Sequence, residues 1–386
     1  MNSKNLIIIF LTTLMAVLGV ASITPAFPSI IKHFNISPTQ VTLLITVFTL
    51  PGILLAPVAG IMADRIGRKI ILIPSLFIFG IAGAGCFVTN SWEVLLILRF
   101  IQGIGAASLG TLNITLIGDL YEGKKRSEIM GYNASVLSIG TAAYPTIGGA
   151  VAMVGWQFPF LLPLLAIPIG LFAIIWLKNP EPKKQYSLRE YLRNTWTIIN
   201  RKSVWGLFII NILLFVILYG AFLSYFPQML ESRFQSSAMQ IGLYMSAFSL
   251  ITAFISAQKK LIDKLISVKI QLNISFILYF ISMLLLAVIN ERWQLFFPLV
   301  LFGIAHGILI PTIQILLVGF APLNERAGFM SINSMVLRLG QTVGPVFIGL
   351  FYLLGGVSIA FVGGAAVALL MLLISILMVK TGRAEQ

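Results

Sequence analysis

The chain has 386 residues, 58% of them hydrophobic and only 10% charged, with a formal net charge of +14. Soluble domains carry about 25% charged residues, so a water-soluble fold of this size is excluded. The surplus of positive charge is not a nucleic-acid signature, because of where along the chain it falls.

Apolar runs of about 20 residues recur, each long enough to cross the hydrocarbon core of a bilayer. Twelve are predicted, at 6–27, 39–62, 70–88, 94–118, 128–154, 158–177, 204–228, 239–256, 270–288, 295–318, 328–353 and 356–379. Backbone groups in lipid must be satisfied within the segment, so these runs are read as helices. A barrel would need alternating segments of about 10 residues, which the sequence does not show. The first run follows one basic residue, Lys4, and no small-residue cleavage site precedes Pro25 and Pro28, so it is kept as the first helix. With the N-terminus inside, all but five of the 26 Lys and Arg fall in cytoplasmic segments; Lys32, Arg233 and Arg292 lie outside, and Arg99 and Arg338 lie within spans. That positive-inside pattern predicts a multi-pass protein of the plasma (inner) membrane with both termini cytoplasmic. The lone cysteine, Cys86, excludes a disulfide framework.

Between the sixth and seventh runs lies a polar stretch, 178–203, rich in Lys and Arg. Ser187 and Glu190 form a capping-box pattern, and Leu188, Tyr191, Leu192 and Ile199 follow near helical spacing. The stretch reads either as a basic amphipathic helix on the inner leaflet or as a solvated linker. It divides the chain into a six-span half at 1–177, the linker at 178–203 and a six-span half at 204–386. A shift of 200 residues pairs Arg126, Met130, Asn133, Val136, Leu137, Gly140, Pro145 and Gly149 with Arg326, Met330, Asn333, Val336, Leu337, Gly340, Pro345 and Gly349. Gly103 pairs with Gly303 and Lys69 with Lys269. Both matched segments run outward from the cytoplasm, so the repeat is parallel. Parallel halves are one transporter architecture, with the substrate site near mid-membrane.

Three motifs carry a family resemblance. After the second span the chain reads Gly60-Ile61-Met62-Ala63-Asp64-Arg65-Ile66-Gly67-Arg68-Lys69. Gly60 permits close helix contact and Gly67 a tight turn. The stretch resembles the signature loop of the major facilitator superfamily, and Asp263, Lys264 and Lys269 resemble a worn second copy. The fourth span carries Arg99-Phe100-Ile101-Gln102-Gly103-Ile104-Gly105-Ala106, similar to the RxxQGxGA motif of the twelve-helix drug:proton antiporter branch. The fifth carries Gly131, Gly140 and Tyr144-Pro145-Thr146-Ile147-Gly148-Gly149, similar to that branch's antiporter motif, with Tyr144 where the family has glycine. In the eleventh the repeat keeps Gly340, Gly344, Pro345 and Gly349. Gln102, Gly103, Gly105, Gly131, Gly140, Pro145, Gly148, Gly149 and their repeats are expected to pack helices closely. The resemblance implies an all-α membrane protein of twelve helices in two parallel six-helix bundles. It also implies a latch formed by Gly60, Asp64, Arg65, Gly67, Arg68 and Lys69, and a part for Arg99 in proton transfer.

All twelve acidic residues fall in loops or at helix ends. A permanent cation in a low-dielectric cavity wants a counter-charge, so the pattern speaks against cations as main substrates. The two charges within spans are Arg99 and Arg338, and arginine does not release its proton in a protein. Arg99 either faces a cavity or reaches to the outer interface. Arg338 either faces substrate or is satisfied by backbone carbonyls. An unperturbed imidazole titrates near neutrality, so His306 is a proton-coupling candidate, or equally a packing histidine; Asp119 is a weaker candidate. Thr24, Asn113, Tyr144, Asn211, Tyr219, Tyr225, Gln314 and Arg338 are the polar groups at membrane depth expected to line a substrate cavity. The expected function is proton-coupled efflux of a small hydrophobic organic compound by alternating access. The alternative is transport of an organic anion clamped by Arg99 and Arg338. No nucleophile–base pair, metal constellation or nucleotide-binding loop is seen, so no enzyme, metal or cofactor is expected. The expected partners are a small-molecule substrate, protons and the lipid bilayer, and the chain is expected to act as a monomer.

Overall fold

The structure is a computed structural model that describes residues 3–177, 200–320 and 326–379. The capping-box pattern at Ser187 lies outside the described residues. Among the described residues the secondary structure is helical, with no strand. Helices α1 (Lys4–Phe34), α2 (Leu43–Ile66), α3 (Arg68–Val88), α4 (Trp92–Leu120), α5 (Gly123–Ala152) and α6 (Phe158–Trp176) come first. They are followed by α7 (Lys202–Phe234), α8 (Ala238–Ala257), α9 (Val268–Val288) and α10 (Arg292–Phe320). The last element, Arg326–Met378, leaves helical geometry at Gly355 and Gly356. It therefore comprises α11 (326–354) and α12 (357–378). Gly356, at φ 72°, sits where a side chain is disfavoured.

Ten helices among the described residues are long and apolar enough to cross a bilayer. One of these, Ile332–Met378, holds both α11 and α12. α5 is not among the ten, because Lys124, Lys125, Arg126 and Glu128 load its first turns and glycines dilute the rest. With the double helix split and α5 included, the crossings among the described residues number twelve, as the hydropathy pattern predicts. Exposed apolar side chains such as Leu54, Ile81, Phe254 and Leu354 suit a lipid surround and no aqueous one.

The chain divides into two compact units. Unit 1 is Met1–Gln185 with Gln235–Ser246, and unit 2 is Tyr186–Phe234 with Ala247–Gln386. The first half of α8 thus groups with unit 1, a departure from the simple division at the linker. In unit 1, α4 packs on α2, α3 and α1, and α5 packs on α1. In unit 2, α9 packs on α10, and the α11–α12 pair packs on α7 and α9.

Two helices break where the site residues sit. α1 passes through a 3₁₀ turn at Thr24–Ala26, because Pro25 has no N–H to continue the ladder. Ile23 N–H bonds instead to the Val20 carbonyl, which leaves the Gly19 carbonyl without its usual helical donor. α7 widens into a π-helix at Val216–Leu223, a form often found at functional sites.

Candidate functional site

The signature loop is built around Gly67, whose φ of 103° requires glycine. Its N–H closes α2 on the Ala63 carbonyl at 3.0 Å. The turn delivers Arg68 Nε to Asp119 Oδ2 at 3.0 Å, at the far end of α4. Lys69 Nζ donates to the Ile174 carbonyl of α6 at 2.6 Å. Arg65 is exposed, and the side chain of Asp64 lies outside the described residues. A Cβ added at Gly60 would meet nothing within 4 Å, so no close contact demands glycine there. Asp119, weighed as a proton group, is thus engaged as the partner of Arg68.

Unit 2 has a different polar cluster after α8. Lys259, on the short helix Lys259–Leu265, pairs with Asp263 and also donates to Gln271 Oε1 at 2.8 Å. Gln271 Nε2 donates to Asp263 Oδ1 at 2.9 Å, and Thr312 Oγ1 donates to Gln271 Oε1 at 3.0 Å. Burial pulls the Asp263 carboxyl upward, but the Lys259 and Gln271 hydrogen bonds and the Lys259 charge outweigh it and hold it below its ordinary value. Of the worn copy read from sequence, Asp263 is joined to a network whose other members, Lys259, Gln271 and Thr312, were not anticipated.

Arg99 is fully buried and enclosed. Its Nη2 donates to the orphaned Gly19 carbonyl at 2.9 Å, its Nε to the Leu44 carbonyl at 3.2 Å and its Nη1 to Gln102 Oε1 at 2.6 Å. The guanidinium also lies over the Phe48 ring, 4.2 Å from its centre. The motif around it is packed backbone to backbone. A Cβ at Gly103 would stand 2.1 Å from the Phe48 carbonyl oxygen, and one at Gly105 2.6 Å from the Phe79 nitrogen. Arg99 therefore ties α1, α2 and α4 together and offers no exposed edge to a ligand.

Three polar side chains meet among α1, α4 and α5. Thr13 Oγ1 lies 2.5 Å from Asn133 Oδ1, and Asn113 Nδ2 donates to Thr13 Oγ1 at 2.9 Å and to the Ile9 carbonyl at 3.2 Å. Asn113 Oδ1 is buried with no hydrogen-bond partner among the described residues. Unit 2 has a counterpart, Asn211 Nδ2 donating to Asn333 Oδ1 at 2.7 Å between α7 and α11. Thr13 was not singled out from sequence. The signal for Asn133 was its repeat match to Asn333.

The glycines of α5 divide sharply. A Cβ at Gly148 would fall 1.9 Å from the Ser22 carbonyl oxygen, and one at Gly149 2.3 Å from that of Ala238. Gly242 makes the reciprocal approach to the Pro145 carbonyl. Thr146 Oγ1 also donates to Ser246 Oγ at 2.6 Å, so α5 and Gln235–Ser246 are joined within unit 1. Gly140 meets Leu14 and Val17 side chains at 3.0 and 3.1 Å, whereas Gly131 faces open space. Tyr144 is buried, and its ring lies 3.3 Å from the Gly140 Cβ position. Thr24 is buried and reaches Met245 Sδ at 3.8 Å.

In unit 2, Gly340 and Gly344 press on α7, with Cβ positions 2.5 Å from the Ile212 carbonyl oxygen and 3.0 Å from Val216 Cα. Tyr225 is fully buried and stacked on Tyr352, 5.0 Å between centres, and so serves packing. His306 is buried among Phe248, Phe302 and Tyr279. Its Nδ1 shares a hydrogen bond with the Tyr279 hydroxyl. Gln314 is half-buried on α10. Tyr219 lies in the π-helix, whose wide turn lets Ser224 Oγ donate to the Tyr219 carbonyl at 2.7 Å. Arg338 is half-buried on α11, with Nη1 3.3 Å from Gln341 Oε1.

Comparison with known proteins places this geometry. The model of the Major Facilitator Superfamily matches residues 9–270 and 259–386. The chain is 26% identical over 355 residues to the Bacillibactin exporter of Bacillus subtilis (strain 168), covering 89% of this chain and 88% of the exporter. It is 24% identical over 360 residues to Multidrug resistance protein 1 of the same organism, covering 91% of each. It is 23% identical over 358 residues to the Quinolone resistance protein NorA of Staphylococcus aureus (strain COL), covering 91% of this chain and 90% of NorA. Among solved structures, a bacterial homolog of the human lysosomal transporter Spinster, inward-facing and unoccupied, superposes with a TM-score of 0.78 at 17% identity, covering 98% of this chain and 95% of that one. A mutant of the nucleoside transporter NupG superposes with a TM-score of 0.81 at 13% identity, covering 98% of this chain and all of that one. The chain belongs to the Major Facilitator Superfamily, and it is a multi-pass membrane transporter of small molecules rather than an enzyme.

Proposed function

We propose that the protein exports a small, largely hydrophobic organic compound in exchange for protons, by alternating access. The observation that carries this reading is likeness over nine-tenths of the chain to an exporter and to two resistance proteins. The geometry supports it in two ways. Each unit holds buried amides at membrane depth, Asn113 with Asn133 and Asn211 with Asn333, able to meet polar groups of a passing solute. The glycine contacts of α5 with α8 bring backbones together without side chains between them, so they can part and re-form with little repacking.

His306 is the group assigned to proton coupling. Asp119 is paired with Arg68, and Arg99 keeps its proton and is enclosed. When His306 takes up a proton both ring nitrogens become donors, and the Tyr279 oxygen becomes the acceptor of the Nδ1–H. In this reading both termini are cytoplasmic, from the positive-inside bias, and the chain acts as a monomer in the plasma membrane.

The test is accumulation of a fluorescent quinolone in cells. Expression is expected to lower accumulation, and a proton uncoupler to restore it. His306→Gln is expected to keep binding while losing the response to the proton gradient. Accumulation that rises on expression would reverse the direction of transport.

A further inference from the structure

Arg338 occupies an unusual position for a charge. It lies twelve residues into α11, about 18 Å along the helix axis from its start and within the apolar span that begins at Ile332. The lipid-exposed stripe of α11 is Leu339, Val343, Val346 and Leu350. The stripe pressed on α7 is Gly340 and Gly344. Arg338 belongs to neither. Helical spacing sets it on a third face with Ser334, Gln341 and Thr342, a polar stripe in an otherwise apolar helix.

Its hydrogen bonding is incomplete. Among the described residues the one bond of its guanidinium is the long one to Gln341 Oε1, at 3.3 Å. No acidic side chain pairs with it there, and it stays cationic at any physiological pH. Tyr219 belongs to the turn of α7 that Gly340 and Gly344 press on, and Phe215 lies tilted beside its ring with centres 5.9 Å apart. This differs fully from Arg99, whose guanidinium is enclosed by carbonyls, Gln102 and aromatic rings. In unit 1 the repeat counterparts of Arg338, Gln341 and Tyr219 are Ser138, Thr141 and Gly19, so the feature has no equivalent there.

We infer that Arg338, Tyr219 and Gln341 form an anion subsite that takes a carboxylate on an aromatic substrate. The inference rests on the organic-substrate reading above and narrows it to a chemical class. The guanidinium fork donates two parallel hydrogen bonds to a carboxylate, the phenol donates a third, and the Phe215–Tyr219 face packs the aromatic body. The subsite lies wholly within unit 2, and because Arg99 is enclosed, the two-arginine clamp of the alternative reading reduces to one arginine.

The experiment is isothermal titration of the purified full chain in nanodiscs with a quinolone carboxylic acid and with its methyl ester. The wild type is expected to bind the acid about tenfold or more tighter than the ester, the scale of a charge-assisted hydrogen bond. Arg338→Gln is expected to bind acid and ester alike. Arg338→Lys keeps the charge without the fork, so part of the preference survives. Tyr219→Phe weakens the acid a few-fold and leaves the ester unchanged, which covers the case of a poorly folded Arg338→Gln. The subsite is overturned if the wild type binds the two alike or binds neither, or if Arg338→Gln retains the preference. Binding is read without transport. A protein that selects the acid but leaves cellular accumulation unchanged keeps the subsite and loses the efflux reading, and the opposite result does the reverse.

Discussion

The trio α2, α3 and α4 in unit 1 and the trio α8 (from Ala247 onward), α9 and α10 in unit 2 occupy equivalent places in the repeat, and they solve the same packing problem with opposite chemistry. A shift of 200 residues carries Phe48 to Phe248, Phe79 to Tyr279, Gln102 to Phe302, Gly103 to Gly303 and Ala106 to His306. The glycine approach survives in both. The buried polar group does not. In unit 1 it is a cation, Arg99, held by carbonyls and an amide. In unit 2 it is a neutral phenol–imidazole pair among phenylalanines. Backbone proximity is thus the inherited constraint, and the polar interior is free to change as long as each donor finds an acceptor.

The largest effect expected is on the shared glycine. At Gly103 the obstacle to a Cβ is backbone, the Phe48 carbonyl oxygen at 2.1 Å. At Gly303 it is chiefly the Ile251 side chain at 2.6 Å, with Phe248 carbonyl oxygen at 3.3 Å. Gly103→Ala should cost about 3 kcal/mol and Gly303→Ala about 1 kcal/mol, because a side chain yields and a backbone does not. Thermal unfolding in detergent reads both, and equal losses would break the distinction. Next is Arg99→Met, which leaves the Gly19 carbonyl and Gln102 without their donor and should cost about 2 kcal/mol. A stability unchanged from wild type would mean that the cage contributes no net energy. Tyr279→Phe removes one partner of His306 and should cost about 1 kcal/mol. The mirror change Phe79→Tyr meets Ala106 in place of a histidine and should gain nothing.

The smallest effect concerns the inner polar clusters. The carboxyl of Asp263 is held below its ordinary value, so its stabilising contribution is complete at neutral pH and disappears as the pH falls below about 4. Asp263→Asn should therefore melt slightly below wild type at pH 7, with the gap closing on acidification. The effect is modest because the Asp263 side chain is 40% exposed. A gap that persists in acid would assign the loss to packing.

The crossings, the parallel repeat and the motif positions were legible in the sequence because hydropathy, charge bias and matched Gly, Pro and Asn are local signals. α5 shows that even a polar run is readable when its repeat partner is clear. The partners of Arg99 were not legible. They are backbone carbonyls 55 and 80 residues away, and one is made available only by the break before Pro25. Residue type also does not distinguish a crowded glycine from an open one. Gly148 and Gly131 read alike in the motif, yet one touches the Ser22 backbone and the other nothing. The grouping of Gln235–Ser246 with unit 1 follows from contacts with α5 that leave no periodic trace. Tyr279 was missed because a tyrosine in an apolar helix looks like bulk until a histidine is found beside it.

The bond from Arg99 to Gly19 also bears on how the chain is assembled as it leaves the ribosome. A lone fourth segment entering lipid would carry its cation at a penalty of about 3 kcal/mol on insertion scales. The acceptors at Gly19 and Leu44 belong to segments synthesised earlier, so that penalty is relieved only if these wait beside the insertion machinery. The nascent first and second segments then act as a chaperone for the fourth, and deleting the first should strand it outside the bilayer.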